Sequence, residues 1–147
     1  MNEVFNTPFE ISLRVILLLS ACDNAITADR AAALDFITVY SSAFHLSQQS
    51  INGENDFGFS EFATRRELVN KALKSMVIDG LMAVRRDELG FQYSLSPSGR
   101  KFCSSLNSEY AKEYSKLAAI TVRSTKTKSD VDLLTLITHE STQSLRR

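Results

Sequence analysis

The sequence contains few of the residues from which metal and catalytic sites are built. Among its 147 residues are two cysteines and two histidines. Cys22 and Cys103 stand in apolar helical patterns without CxxC spacing, so we expect small, buried hydrophobic side chains there. His45 and His139 lack metal-ligand spacing, and we expect ordinary solvated side chains, with His45 at a helix end. These shortages predict no metal, no cofactor and no catalytic residues.

The five glycines form no loop that could hold a phosphate. Gly53, Gly58, Gly80, Gly90 and Gly99 are scattered and do not match GxxxxGK, the loop whose backbone N–H groups bind nucleotide phosphates. We therefore expect that the chain does not bind ATP by itself and is not an enzyme.

The chain also lacks a hydrophobic run long enough to cross a bilayer, which takes about 20 apolar residues. Its most apolar stretch, residues 11–21, contains Arg14. No basic segment precedes this stretch, since the acidic Glu3 and Glu10 flank the start, and a signal peptide is therefore not expected. The sequence predicts a cytoplasmic protein without membrane contact.

The chain has a formal net charge of zero, because 17 basic residues balance 17 acidic ones. A neutral chain is a poor candidate for coating nucleic acid without specificity. The charge is nevertheless uneven: residues 1–60 hold two basic and seven acidic side chains, and the remainder holds 15 basic and 10 acidic ones. The sequence is therefore polarised from −5 to +5.

Helical patterns occupy the first part of the chain. A capping box from Thr7 to Glu10 opens a first helix over residues 7–21, which is apolar on nearly every face and is expected at the centre of the core. A second helix, capped by Thr27, is predicted to run through Phe44. Residues 45–58 are rich in turn-forming residues and have no period, which predicts a loop that orders on a partner.

A helix and a hairpin follow. Thr64 begins a second capping box, which predicts a third helix from residue 64, or one turn earlier from Ser60, ending at Gly80. Residues 82–86 and 91–95 alternate between apolar and polar side chains, which predicts two strands joined by a short turn.

The C-terminal part is predicted to be helical. One long helix is expected over residues 96–122, with a stripe suited to packing on another helix, then a basic hinge at 124–128 and a terminal helical segment from residue 129. We therefore divide the chain into a domain of residues 1–123 and a linker with a helical extension at residues 124–147.

Three helices, a hairpin and a further helix are the order of a winged helix-turn-helix protein, whose third helix can enter the major groove. The predicted class is mainly α with a small β-hairpin. The basic residues of this region are the candidates for contact with DNA: Arg65, Arg66, Lys71, Lys74, Arg85 and Arg86.

The outer face of the third helix is mixed, which weakens the DNA interpretation. It carries the acidic Glu67 and the apolar Ile78, and only Asn70 resembles a base-reading residue. Arg65 and Arg66 lie beside the apolar face and could form salt bridges, either with a partner or with Asp35 in the same fold. A face of this kind suits a protein interface, with DNA backbone contact in second place.

A resemblance to a known family rests on several short motifs in a fixed order. They are Asn6-Thr7-Pro8-Phe9-Glu10, Leu13-Arg14, Ala33-Leu34-Asp35-Phe36, Phe59-Ser60-Glu61, Arg65-Arg66-Glu67-Leu68, Gly80-Leu81, Tyr110 and Ala118. Over residues 5–122 this combination resembles the middle components of bacterial ABC-three-component conflict systems, and in particular the small subunit of Lamassu-type anti-phage or anti-plasmid systems. The resemblance implies a non-enzymatic accessory subunit, which joins an SMC-like or ABC-type coiled-coil ATPase to an effector that is often a nuclease.

Two hypotheses follow, an assembly subunit of such a complex and a free-standing dimeric winged-helix transcriptional regulator with the long helix as its dimer seam. For Asp35, which lies between Leu34 and Phe36, the sequence leaves open harmless exposure, a role in helix packing and contact with a partner arginine. The candidates for contact with partner proteins are Ile78, Asp35, Tyr110, Tyr114, Leu134 and Ile137.

Overall fold

The computed structural model describes residues 7–48, 50–51, 59–88 and 90–145. In these ranges the chain is mainly helical and contains a small antiparallel sheet. The helices are α1 (Pro8–Ala21), α2 (Ala28–Val39), α3 (Phe59–Ile78), α4 (Pro97–Ser104), α5 (Glu109–Ser124) and α6 (Asp130–Leu145). The strands are β1 (Ile26–Thr27), β2 (Met82–Asp87) and β3 (Gly90–Leu95).

Helix α1 lies at the centre of the core, as its apolar sequence predicts. The side chain of Thr7 accepts a hydrogen bond from the backbone N–H of Glu10 at 3.2 Å, and Pro8 occupies the first helical position. Five consecutive side chains from Val15 to Leu19 are buried. A helix that is apolar all round needs neighbours on every side, and α1 packs against α2, α3, α4 and α5.

Helix α2 begins as predicted but ends early. Thr27 accepts from the N–H of Arg30 at 3.1 Å, which confirms the cap. The helix ends at Val39, so the predicted extension to Phe44 is wrong. Serine side chains compete with helical bonding in the turns that follow: Ser42 and Ser50 are joined through their hydroxyls at 2.7 Å. Most of the predicted partner-ordered loop, residues 49 and 52–58, lies outside the described residues.

Helix α3 is longer than predicted. It begins at Phe59, so Thr64 lies inside the helix and does not cap it. The alternative start one turn earlier is the better interpretation. The predicted end is confirmed, because Gly80 has a φ of +83°, which suits glycine. The N–H of Leu81 closes the helix end on the carbonyl of Met76 at 2.8 Å.

The predicted hairpin is present, and a third strand joins it. The pairing of β2 with β3 runs from Met82 opposite Leu95 to Asp87 opposite Gly90. Strand β1 pairs with the other edge of β3, which gives the order β1-β3-β2. With two residues, β1 is too short to show a period, and the sequence therefore did not reveal it.

The predicted long helix is broken. Helix α4 ends at Ser104, and Ser108 caps α5 by accepting from the N–H of Ala111 at 3.1 Å. Ser105 bonds back to the carbonyl of Phe102 at 2.6 Å. Serine side chains that bond to nearby backbone groups favour helix ends over helix interiors, and here they override the apolar period.

Helix α6 packs against α2, and its Leu133 and Ile137 are fully buried in the same core. The linker before it is held by Arg30, which donates to the carbonyls of Thr125 and Lys128 at 3.0 and 2.8 Å. The predicted hinge therefore has fixed contacts in this structure, and residues 130–143 do not lie apart from the core. The division of the chain into a domain of residues 1–123 and an extension of residues 124–147 stays a prediction.

We expect Gly99→Ala to destabilise the protein. A Cβ at Gly99 would lie 2.0 Å from the backbone oxygen of Leu81, so α4 would have to move. Overpacking of this kind costs about 1–3 kcal/mol. Chemical denaturation measures the difference, and Ser98→Ala, at an exposed neighbouring position, should stay within about 0.5 kcal/mol of the wild type. Equal stability of all three proteins would contradict the close approach.

Candidate functional site

A buried network of charged and hydroxyl side chains lies where α1, α2, α3 and α5 meet. Asp35 of α2 accepts from Arg14 of α1 at 2.9 and 3.3 Å and from the hydroxyl of Tyr114 of α5 at 2.7 Å. Arg65 of α3 places a guanidinium nitrogen 3.7 Å from the same carboxylate. Arg14, Asp35 and Tyr114 have no exposed surface, and the Arg65 side chain is 4% exposed. One carboxylate therefore joins four helices.

The protonation states in this network follow from its geometry. Burial by itself would raise the pKa of Asp35, but the charges of Arg14 and Arg65 and the hydrogen bonds from Arg14 and Tyr114 hold that pKa below its usual value. Burial, with the charge of Asp35 in addition, raises the pKa of Tyr114 well above its usual value. Asp35 is consequently a charged acceptor, and Tyr114 is a neutral donor.

Arg65 is held on the inner side of α3. Its guanidinium lies over the rings of Phe36 and Tyr40, 5.4 and 5.7 Å from their centroids, and 3.4 Å from Glu61. Glu61 also accepts from the hydroxyl of Tyr40. Because Arg65 is buried in this packing, its guanidinium is not accessible to DNA in this conformation, and its predicted contact with DNA finds no support here. The alternative salt bridge with Asp35 is the one that forms.

Arg66 bridges α3 to α2 on the surface. Its Nε and Nη2 donate to the two carboxylate oxygens of Asp29 at 2.8 and 2.9 Å. This two-point bond raises the pKa of Arg66. Contact of Arg66 with a DNA phosphate would require it to leave Asp29, which the prediction did not foresee.

The other predicted cations remain on the surface. Lys71 and Lys74 are exposed on α3, and within the described ranges no ion pair involves either of them. On the hairpin, Arg85 reaches Gln92 at 3.4 Å, and Arg86 lies 5.9 Å from the centroid of the Phe91 ring.

Three predicted partner-contact residues are buried in the chain's own core. Asp35, Tyr114 and Ile137 have no exposed surface, so they offer nothing to a partner in this conformation. A sequence pattern does not distinguish a helix face covered by the same chain from one covered by another chain. The sequence therefore favours all three residues for partner contact, although their own chain covers them. Of the interpretations of Asp35, the role in helix packing agrees with the structure.

Tyr110, Leu134 and Ile78 differ from these three. Tyr110 and Leu134 are half-buried, and the hydroxyl of Tyr110 interacts with the guanidinium of Arg14. Ile78 is 85% exposed at the end of α3, and it is the predicted contact residue with the most accessible side chain.

Arg14 is the residue of the network that sequence reasoning missed. It stands in the apolar run of α1, and a charge in such a position needs a partner inside the protein. Asp35, between two apolar residues of α2, gave the complementary signal. A charged residue of opposite sign in each of two apolar helical segments indicates that Arg14 and Asp35 could pair.

The residues that the structure describes contain neither a candidate metal site nor a candidate membrane span. Among them, no group of three or more histidine, cysteine, aspartate or glutamate side chains is arranged to hold a metal ion. Likewise, no helix of the described ranges has both the length and the apolar character needed to cross a bilayer. The geometry thus defines a small helical protein whose polar interior ties its helices together.

The comparison with family models places the chain more closely. A model described as ABC-three component (ABC-3C) system Middle Component 2 matches residues 4–147, and the chain belongs to this family. No curated protein and no solved structure matches the chain. The family match includes α6, which the sequence motifs did not cover. A middle component implies partnership with the other components of its system.

We expect Asp35→Asn to be strongly destabilising, because it leaves the guanidinium of Arg14 buried without its counter-charge. Breaking a buried ion pair by removing one partner costs about 3–5 kcal/mol. Tyr114→Phe, which removes one hydrogen bond to the carboxylate, should cost less, about 1.5–3 kcal/mol.

Asp29→Asn provides the control for this comparison. It breaks the pair with Arg66, whose side chains are 44% and 49% exposed, and should cost at most about 1 kcal/mol. Free energies of unfolding from urea titrations give the order. An Asp35→Asn cost no larger than that of Asp29→Asn would show that the network does not stabilise the fold.

The pH dependence of stability should have its acid limb set partly by Asp35. The folded pKa of Asp35 is below its unfolded value of about 3.9, so its contribution is complete above that pH and is lost as the pH falls through the folded pKa. Tyr114 has a raised pKa, so its contribution is complete below about pH 10 and is lost in stronger base. Urea titrations from pH 2 to 6 should show a shallower acid slope for Asp35→Asn than for the wild type, and an identical slope would contradict the assignment.

Proposed function

We propose that this chain is a non-enzymatic adaptor subunit of a bacterial anti-phage or anti-plasmid complex of the Lamassu type, which joins an SMC-like coiled-coil ATPase to a nuclease-like effector. Family membership supports a role beside other components. The observation that carries the adaptor role is an exposed apolar and basic surface on α3 and the hairpin. We call it the α3–hairpin surface and define it by Lys71, Lys74, Ile78, Val84, Arg86 and Phe91, whereas Arg85 lies with Gln92 on the opposite face of the hairpin.

We infer that the fold is a winged helix with β2 and β3 as the wing. Support comes from the element order α1, β1, α2, α3, β2, β3 and from the pairing of β1 with β3. In such folds α3 is the presentation helix, so its outward face is the first surface to consider for a partner.

One face of the hairpin is buried next to the core and exposed farther from it. Paired residues of antiparallel strands share a face, so Val84 and Arg86 lie on the same side as Phe91 and Tyr93. Tyr93 is buried, but Phe91 is 58% and Val84 is 41% exposed. Arginine and aromatic side chains are both enriched in protein interfaces, and Arg86 lies over the ring of Phe91.

DNA contact has a smaller place in this proposal. Arg65 is buried, Arg66 is paired and Arg85 lies on the opposite face of the hairpin, so Lys71, Lys74 and Arg86 are the cations left on the α3–hairpin surface. Three cations support few phosphate contacts, which gives weak and salt-sensitive binding. We therefore assign DNA backbone contact as a secondary role within the complex.

The alternative, a dimeric regulator, is less well supported. Its expected dimer seam was one long helix, and that helix is divided into α4 and α5. The buried side of α5 is already covered, because α5 packs against α1 and α2 of the same chain.

Co-expression with the neighbouring components tests the proposal. We expect the double variant Ile78→Asp with Phe91→Asp to lower the yield of co-purified components at least about tenfold. The two substitutions replace hot-spot contacts of about 2 kcal/mol or more by two charges buried in the interface. The matched control is Phe9→Asp with Val131→Asp, which changes two side chains that are 68% and 70% exposed elsewhere.

Charge reversal separates the two roles of the surface. Because we assign the partner contact to Ile78 and Phe91 and the DNA contact to the two lysines, Lys71→Glu with Lys74→Glu should leave the complex assembled and lower its DNA-stimulated ATPase activity. A tagged wild-type chain that returns alone as a dimer and shifts its own promoter DNA would show that the adaptor proposal is wrong.

A further inference from the structure

A second surface, on another side of β3, has the features of a peptide-binding site. A cleft of about 710 Å³ lies between the α1–α2 connection and the segment that joins α5 to α6. This volume is within the range of about 300–1,000 Å³ that is typical of ligand sites. We propose that the cleft binds a short acidic segment of another component, with one apolar side chain of that segment in its floor. The inference rests on the proposed adaptor function.

The floor of the cleft is apolar. It is lined by Ala21, Ile26, Leu34, Ala119 and Val122, of which Ile26 and Leu34 belong to the buried core. An apolar side chain from a partner would therefore contact the accessible parts of Ala21, Ala119 and Val122 and remove them from water. Burial there would contribute about 25 cal/mol per Å² of apolar area removed from water.

The rim of the cleft is cationic. Arg123, Lys126 and Lys128 line it and are exposed, and within the described ranges no ion pair involves them. Of the two carboxylates that line the cleft, Asp130 is already engaged and Asp23 is exposed. Three available cations against one available carboxylate leave a local positive charge in a chain that is neutral as a whole. Carboxylates of a partner would complement this rim.

The cations are held on an ordered backbone. Arg30 of α2 donates to the carbonyls of Thr125 and Lys128, and it also donates to the carboxylate of Asp130 at 3.1 Å. Asp130 accepts in addition from the hydroxyl of Thr27 at 2.7 Å. Because these bonds fix the segment between α5 and α6, less of it needs to be ordered when a ligand binds.

The shape of the cleft favours a protein segment over nucleic acid. A concave floor of aliphatic side chains offers nothing to a phosphate, whereas it accepts a leucine or a similar side chain. Strand β1, at the edge of the sheet, also lines the cleft and offers backbone groups to an extended segment. Cys22 in the wall is not a reactive group, because burial raises the pKa of its thiol to about 11.

The test uses the full chain and two changes of different kinds. Ala119→Trp fills the floor at an exposed position without altering charge, and Arg123→Glu with Lys126→Glu reverses the rim. Lys112→Glu with Lys116→Glu is the matched control, because it reverses two exposed charges of α5 that lie outside the cleft. The probes are labelled, overlapping 15-residue peptides that cover the co-encoded components, and fluorescence anisotropy gives each Kd. Thermal melts establish that every variant is folded.

We expect at least one acidic peptide with an apolar residue to bind the wild type. Its Kd should rise at least about tenfold in both cleft variants and less than about twofold in the control. Wild-type co-purification of the components without any cleft-dependent peptide would overturn the cleft assignment alone. A peptide weakened equally by the rim variant and the control, but not by Ala119→Trp, would show general charge attraction and also overturn it. Tighter, rim-dependent binding of a 20-base-pair duplex would assign the cleft to nucleic acid instead.

Discussion

The carboxylate of Asp35 is the point on which the arrangement of the helices depends. Asp35 is ionised although its side chain has no exposed surface. Its charge is stabilised because Arg14, Tyr114 and Arg65 approach it from three other helices. An ion pair of this kind need not be more stable than a well-packed apolar core. Its effect is on geometry, since any packing that separates these helices leaves a bare charge in the interior. We therefore expect its main structural role to be the specification of one helix arrangement.

This constraint also decides what the basic residues of α3 can do. Arg65 is used in the interior and Arg66 is engaged with Asp29, so two adjacent arginines that look like a nucleic-acid motif tie α3 to α2 instead. The same helix leaves Ile78 exposed at its other end. A rigidly held α3 with a mixed outer face suits an adaptor, because a docking surface that is already ordered does not have to be ordered by its partner.

Local chemistry in the sequence was enough to predict much of the fold. Thr7 and Thr27 cap α1 and α2, Gly80 ends α3, and alternation marks the hairpin, because each of these signals acts within a few residues. The predictions failed where distant contacts or weak local competition decide the outcome: the break at Ser105–Ser108, the two-residue strand β1 and the inward course of Arg65. In the candidate sites, exposure of Ile78 followed from helical period, whereas burial of Tyr114 and Ile137 required knowledge of which helix covers them. The motifs on which the family resemblance rests include residues that are buried in the interior, namely Arg14, Asp35 and Arg65.

Strand β3 has neighbouring residues in the α3–hairpin surface and in the cleft. Phe91 belongs to the α3–hairpin surface, and Gln92, the next residue, lines the cleft and lies opposite Thr27 of β1. A partner that shifts β3 at Phe91 would also shift the wall of the cleft. Two ligands that each favour a particular position of one strand have linked binding free energies, and that linkage is equal in both directions. The shortest path between the two surfaces is thus one peptide bond, which would let the proposed adaptor transmit the occupancy of one surface to the other.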